Sequence, residues 1–241
     1  MITSSEQQKL NQEVELAEES QARALVYNFL SSLFAKEVTS DLVTQLTSTQ
    51  GQSFLNSLAL EPSLTVSLNE INAKLNTLNS KELLLELAAD FCGLFLVDGR
   101  TCASPYAGQY SSDCLLDEVS DELENAARGE VGGKKKKEKI QIFGELHQKM
   151  TEFLTENKLQ VHSDFPEPAD HIAVILAYIA HLCVTTEHKE QLIFINRYLM
   201  TWINEFTQQV NKHEHGVFYS SVANLTLKWL EIEIKDLKNI E

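Results

Sequence analysis

The chain has 241 residues, 43% of them hydrophobic, with only four prolines and nine glycines, and a net charge of −15 from 35 acidic and 20 basic side chains. So few breakers exclude collagen-like and low-complexity classes and an array of short turn-linked strands, and the apolar share excludes general disorder. The acidity opposes a phosphate backbone and excludes nucleic acid as a partner. From Leu16 to Phe34, ladders at i, i+4 spacing (Leu25, Phe29, Leu33 and Val26, Leu30, Phe34) predict a long amphipathic helix. Residues 41–60 and 63–78 carry shorter helical patterns separated by Glu61-Pro62. Asn79 with Glu82 three residues on reads as a capping box for a helix burying Leu83, Leu84, Leu87, Phe91, Leu94 and Phe95. An irregular stretch follows Asp98-Gly99, and residues 113–128 resume a helix with Leu116, Val119, Leu123 and Ala127 inward.

Gly129, Gly132 and Gly133 followed by KKKKEK form a cluster of breakers and like charges, which predicts a linker over residues 129–139. Beyond it, residues 140–158 are helical through Ile142, Phe143, Leu146, Met150 and Phe153. After Phe165-Pro166-Glu167-Pro168 comes the most apolar helix, ending near Val184. Residues 187–211 place Leu192, Ile195, Leu199, Trp202, Ile203 and Phe206 on one face, and residues 217–238 close the chain through Val222, Leu225, Trp229, Leu230 and Ile232. The expected fold is all-α, about ten helices in two lobes, residues 1–128 and 140–241, joined by a flexible hinge at 129–139. Such a hinge allows two chains to exchange their C-terminal lobes, giving a monomer in equilibrium with a domain-swapped homodimer.

The longest apolar stretch, Ile172 to Val184, has thirteen residues, short of the roughly 20 needed to span a bilayer. The N-terminal MITSSEQQKL lacks the basic start and apolar core of a signal peptide, so a cytoplasmic protein with reduced thiols is expected. Cys92, Cys102, Cys114 and Cys183 contain no C-x-x-C pair, and Cys92 and Cys183 sit in apolar segments as small hydrophobes. Gly132-Gly133-Lys134 fails as a phosphate-binding loop, because Arg128 and Lys135 stand where glycine and a hydroxyl are required. No histidine has an acid three residues before it, and His213-Glu214-His215 lacks metal-ligand spacing, so no metal, no cofactor and no catalytic residue is expected.

Two segments exceed what folding alone requires. In Ser104-Pro105-Tyr106-Ala107-Gly108-Gln109-Tyr110, one helical turn would bring Tyr106 and Tyr110 to one face, where aromatics with polar tips suit peptide recognition. They serve equally as a cover over the core. In Glu167-Pro168-Ala169-Asp170-His171, Pro168 suits a first helical position, which makes Glu167 the expected N-cap and Asp170 its third-position acid. His171 would then share a face with Glu167, either as a hydrogen-bonding strut or as a binding group.

These segments, together with Tyr27-Asn-Phe-Leu-Ser-Ser-Leu-Phe34 and Ala89-Asp-Phe-Cys-Gly-Leu-Phe95 in the same chain order, resemble the TorD family of molybdoenzyme-specific chaperones. The Glu-Pro-Ala-Asp-His stretch is similar to the family's E-P-x-D-H signature before an apolar helix, and Cys-Ala-Ser-Pro-Tyr resembles the trimethylamine N-oxide reductase branch. The resemblance implies a cytoplasmic, non-enzymatic chaperone. Its partners would be the twin-arginine leader and the immature catalytic subunit of an exported molybdenum reductase, held until the molybdenum cofactor is inserted. It further implies peptide binding by Pro105, Tyr106, Tyr110, Glu167, Asp170 and His171, with Leu94 and Phe95 lining the groove. Gly108 stands where relatives often carry serine, which removes one expected side-chain hydrogen bond. The alternative is a helical nucleotide-binding switch or enzyme centred on His171.

Overall fold

A run of 32 residues without proline or glycine forms α1 (Ser4–Ala35). The computed structural model describes residues 4–97, 102–110, 144–161 and 163–239. Among these, nine further α-helices follow: α2 (Ser40–Thr47), α3 (Thr49–Leu58), α4 (Thr65–Thr77), α5 (Lys81–Phe91), α6 (Glu145–Glu156), α7 (Ile172–Thr185), α8 (His188–Tyr198), α9 (Ile203–His213) and α10 (Phe218–Asn239). The described residues contain no strand, only an isolated bridge between Tyr106 and His171, so the fold is all-α. The expected helix at 113–128, the hinge at 129–139, Cys114, Ile142 and Phe143 lie outside the described residues.

The apolar α7 is buried almost all round and lies along α1, whose Ser31 hydroxyl donates to the Ala173 carbonyl at 2.8 Å. Val26, Phe29, Leu30, Leu33 and Phe34 face the core as expected, whereas Leu25 is 56% exposed. α10 packs on α4, α8 and α9, and the buried side chains on both sides of residues 129–139 belong to one hydrophobic cluster.

Helix ends follow local chemistry that the hydrophobic pattern did not mark. The pattern at 41–60 divides at Ser48, whose extended backbone closes α2 and whose hydroxyl accepts the Gly51 amide at 3.1 Å to cap α3. A Cβ at Gly51 would collide with the backbone of Gln45 and Leu46, so the tight junction requires glycine. Ser80, not Asn79, caps α5 by accepting the Leu83 amide at 3.3 Å. The pattern at 187–211 divides at Leu199–Trp202, where the Trp202 indole N–H takes the Tyr198 carbonyl at 2.9 Å. Leu199 and Trp202 are fully buried, so tertiary packing breaks a helix that carries no proline or glycine at that point.

Candidate functional site

α5 does not stop at Phe91 but widens into a π-helical turn over Cys92–Leu96, closed by the Val97 amide on the Cys92 carbonyl at 3.2 Å. This turn buries Leu94 and Phe95, and Phe95 packs among Phe34, Phe91, Phe206 and Tyr219. Leu94 and Phe95 therefore form a buried floor. Cys92 is exposed on the outer side of the turn, against the expectation of a buried thiol, while Cys183 is buried.

From this floor the chain returns with Ala103, whose amide donates to the Leu94 carbonyl at 2.8 Å. Residues 105–108 then run antiparallel to residues 170–172. Ile172 donates to the Pro105 carbonyl at 2.8 Å, and Ala107 donates to the Asp170 carbonyl at 3.1 Å. The two segments singled out in the sequence are thus joined through their backbones, 62 residues apart at Gly108 and Asp170.

Side chains reinforce the joint. The Tyr106 hydroxyl donates to a Glu167 carboxylate oxygen at 2.5 Å, and its ring meets His171 edge-on at 5.3 Å. The Asp170 carboxylate, 3% exposed, accepts the Gly108 amide at 3.1 Å. This bond comes from the backbone of residue 108 and needs no side chain there. Tyr110 parts from Tyr106: its hydroxyl donates to the Ser104 carbonyl at 2.8 Å, and its ring stacks on Trp202 at 5.7 Å. Burial pushes its phenol above the ordinary range. Tyr106 and Tyr110 do not share one helical face; a single 3-10 turn, Ala107–Gln109, separates them.

The expected capping of α7 by Glu167 is corrected. The helix starts at Ile172, and His171 is its N-cap, with Nδ1 accepting the Ala173 amide at 3.1 Å. Residues 168–171 form a turn instead, closed by the His171 amide on the Pro168 carbonyl at 3.0 Å. Pairing with Tyr106 holds His171 itself extended, which starts the helix after it, and Glu167 turns to Tyr106. Burial pushes the His171 imidazole down to about 3, so it is neutral, with its proton on Nε2 by the sense of the Ala173 bond. A neutral ring spent on capping gives no support to an enzyme or nucleotide switch centred on His171. Among the described residues, no group of His, Cys, Asp and Glu could hold a metal ion.

Two participants escaped the sequence. His147 of α6 accepts the Ala169 amide on Nδ1 at 3.1 Å and stands 3.6 Å from the Asp170 carboxylate. Since Nδ1 accepts, that approach to Asp170 is proximity without a shared proton. The other is an apolar groove of about 320 Å³ between α1, α7 and the loop after α6, lined by Ala35, Leu154, Leu159, Phe165, Ala177 and Tyr178 among others. Phe165 also packs edge-on against His171 at 5.1 Å, which places the joined segments at the rim of the groove. Neither has a local motif; both depend on residues far apart in the chain.

The family described as nitrate reductase delta subunit matches residues 58–208. A protein of Colwellia psychrerythraea named Chaperone protein TorD is 72% identical over 223 residues, covering 92% of this chain and 94% of that protein. Proteins of the same name from Shewanella piezotolerans and Shewanella oneidensis are 44% identical over 216 residues and 43% identical over 214. These cover 90% and 87% of this chain, and 92% and 88% of the relatives. The joined signature segments and near full-length identity lead to one conclusion: the chain belongs to the nitrate reductase delta subunit family, among its TorD chaperones.

Proposed function

We propose that this protein is a cytoplasmic maturation chaperone for an exported molybdenum reductase of the trimethylamine N-oxide reductase kind. It binds the twin-arginine leader and the immature catalytic subunit, and holds both until the cofactor is inserted. The observation that carries this is the open apolar groove of about 320 Å³ whose Phe165 also packs on the joined segments. An apolar leader helix suits such a groove, and the Glu167 carboxylate at its rim suits a guanidinium. The net charge of −15 speeds the approach of a basic leader.

Titration of the full chain with a synthetic twin-arginine leader tests the proposal. Ala177 is exposed in the groove wall, so Ala177→Glu places a charge there with a stability change within about 0.5 kcal/mol. It is expected to weaken leader binding at least about tenfold, and Glu167→Gln to weaken it less and to reduce its salt dependence. Wild-type binding with both variants unaffected overturns the site; no binding by the wild type overturns the function.

We also propose exchange of C-terminal parts between two chains. Segments on either side of residues 129–139 bury against one another, so a swapped pair would re-form the same contacts. A slowly interconverting dimer is expected by size-exclusion chromatography after mild denaturation and refolding. One species at every concentration speaks against it.

A further inference from the structure

α5 and the π-helical turn after it present an uncharged strip on their outer side, formed by Leu85, Ala89, Cys92, Gly93, Leu96 and Val97. Leu85, Leu96 and Val97 are each more than half exposed. A helix face that is apolar along its length ordinarily packs against another element. The middle of the strip is small: at Gly93 an added Cβ would meet no atom within 4 Å. Leu85 and Leu96 stand at its ends, eleven positions apart, about 16 Å by helical rise.

The chain itself carries a surface of the same length. The periodicity of residues 113–128 sets Leu116, Val119, Leu123 and Ala127 on one side of a helix, and Leu116 and Ala127 are also eleven positions apart. A helix of that pattern laid antiparallel on the strip would set Leu116 on Leu96 and Ala127 on Leu85. In the same register Val119 falls on Gly93 and Leu123 on Ala89, bulky side chains over the small middle of the strip.

The point where the described chain stops gives the same direction. The Tyr110 ring packs on Phe206 at 6.1 Å, and Phe206 stacks on Phe95 of the π-helical turn at 6.1 Å, so residue 111 starts from the Leu96 end of the strip. Six positions from Tyr110 to Leu116 reach up to about 20 Å. Seventeen more from Ala127 to Gly144, up to about 55 Å, return the chain to α6. A tethered segment meets the strip at an effective concentration of roughly millimolar, ahead of a free partner of like chemistry.

We propose that residues 113–128 dock as an antiparallel helix on the outer face of α5, with Leu116, Val119 and Leu123 covering the strip from Leu96 to Leu85. The segment precedes residues 129–139, so it docks within its own chain in a monomer and in a swapped pair alike. Acids flank both surfaces, Glu82 and Glu86 on α5 and Asp117, Glu118 and Glu122 in the segment. Added salt screens that repulsion and strengthens the docking, the opposite of its effect on a basic leader. The docking is independent of the leader groove.

The Cys92 thiol reports on the strip, because docking covers it. N-ethylmaleimide labelling of the full chain, resolved by peptide mass spectrometry, should modify Cys92 slowly, and more slowly in added salt. Leu123→Glu puts a charge against the strip and should speed the labelling at least about tenfold and abolish the salt effect. Cys183, buried in the core, should stay unlabelled in both, which shows that the fold is kept. A cross-link tests the register. With Cys102 and Cys114 replaced by serine, Val119→Cys should form an intrachain disulfide with Cys92 on mild oxidation. Asp121→Cys, on the opposite side of the helix, should do so at least about tenfold less. Equal labelling of Cys92 in the wild type and Leu123→Glu, or equal cross-linking from positions 119 and 121, overturns the proposal. So does a cross-link between chains, or protection that rises with protein concentration; either assigns the strip to a second copy.

Discussion

His171 shows how one side chain serves two segments. It caps α7 with Nδ1 and supports the Tyr106 and Phe165 rings with its edges and face, at 3% exposure. Its folded pKa of about 3 lies below the ordinary 6.5, so between those values the unfolded chain takes up a proton that the folded protein refuses. Its contribution is complete above pH 6.5 and is lost as the pH falls toward 3, at up to about 1.4 kcal/mol per unit. His171→Asn keeps a capping oxygen without the titration, so its stability should fall less steeply from pH 6.5 to 4 in denaturant melts at stepped pH; parallel slopes would refute this. His171→Ala loses the cap as well and should cost about 1 kcal/mol or more at neutral pH. That His171 stands at the start of the apolar helix was legible from Asp170-His171 before an apolar run. Its role as the cap was not, because the extended backbone at His171 goes with its pairing to Tyr106, far away in the chain.

At the scale of elements, helix interiors follow the sequence and helix ends follow capping geometry. α6 ends in a Schellman motif: Leu159 donates to the Leu154 carbonyl at 2.8 Å and Lys158 to the Thr155 carbonyl at 3.0 Å. Lys158 has a φ of 56°, in the left-handed region that glycine adopts freely, and both leucines continue into the apolar groove. Lys158→Gly should therefore stabilise the protein by about 0.5–1 kcal/mol in chemical denaturation, with leader affinity retained. A loss of stability would mean that the lysine side chain contributes more than its backbone costs. The same distinction explains the division of residues 187–211: periodicity continues through Leu199 and Trp202, but an indole that takes the last carbonyl of α8 ends the helix there.

At the scale of the whole molecule, the ends of the described chain are tied together by a buried ion pair. Arg23 of α1 and Glu233 of α10 meet at 2.8 Å, and Gln191 of α8 links Arg23 to the Leu182 and Thr186 carbonyls at 3.1 and 2.9 Å. Removing one charge strands the other, so Glu233→Ala should cost about 3–5 kcal/mol in thermal or chemical unfolding. Replacing both by methionine should cost much less, and equal losses for the two variants would contradict this account. By itself the sequence determined the all-α class, the long first helix, the apolar α7 and the two signature segments, because helical period, apolar runs and clustered turn residues are local properties. Only the tertiary structure decided that those segments pair, that His171 caps α7 and that Leu94 and Phe95 are buried in a π-helical turn. It alone placed an open groove beside the paired segments. Each depends on which distant surface a residue buries against, and a side chain held within helical reach of its neighbours carries no record of that surface.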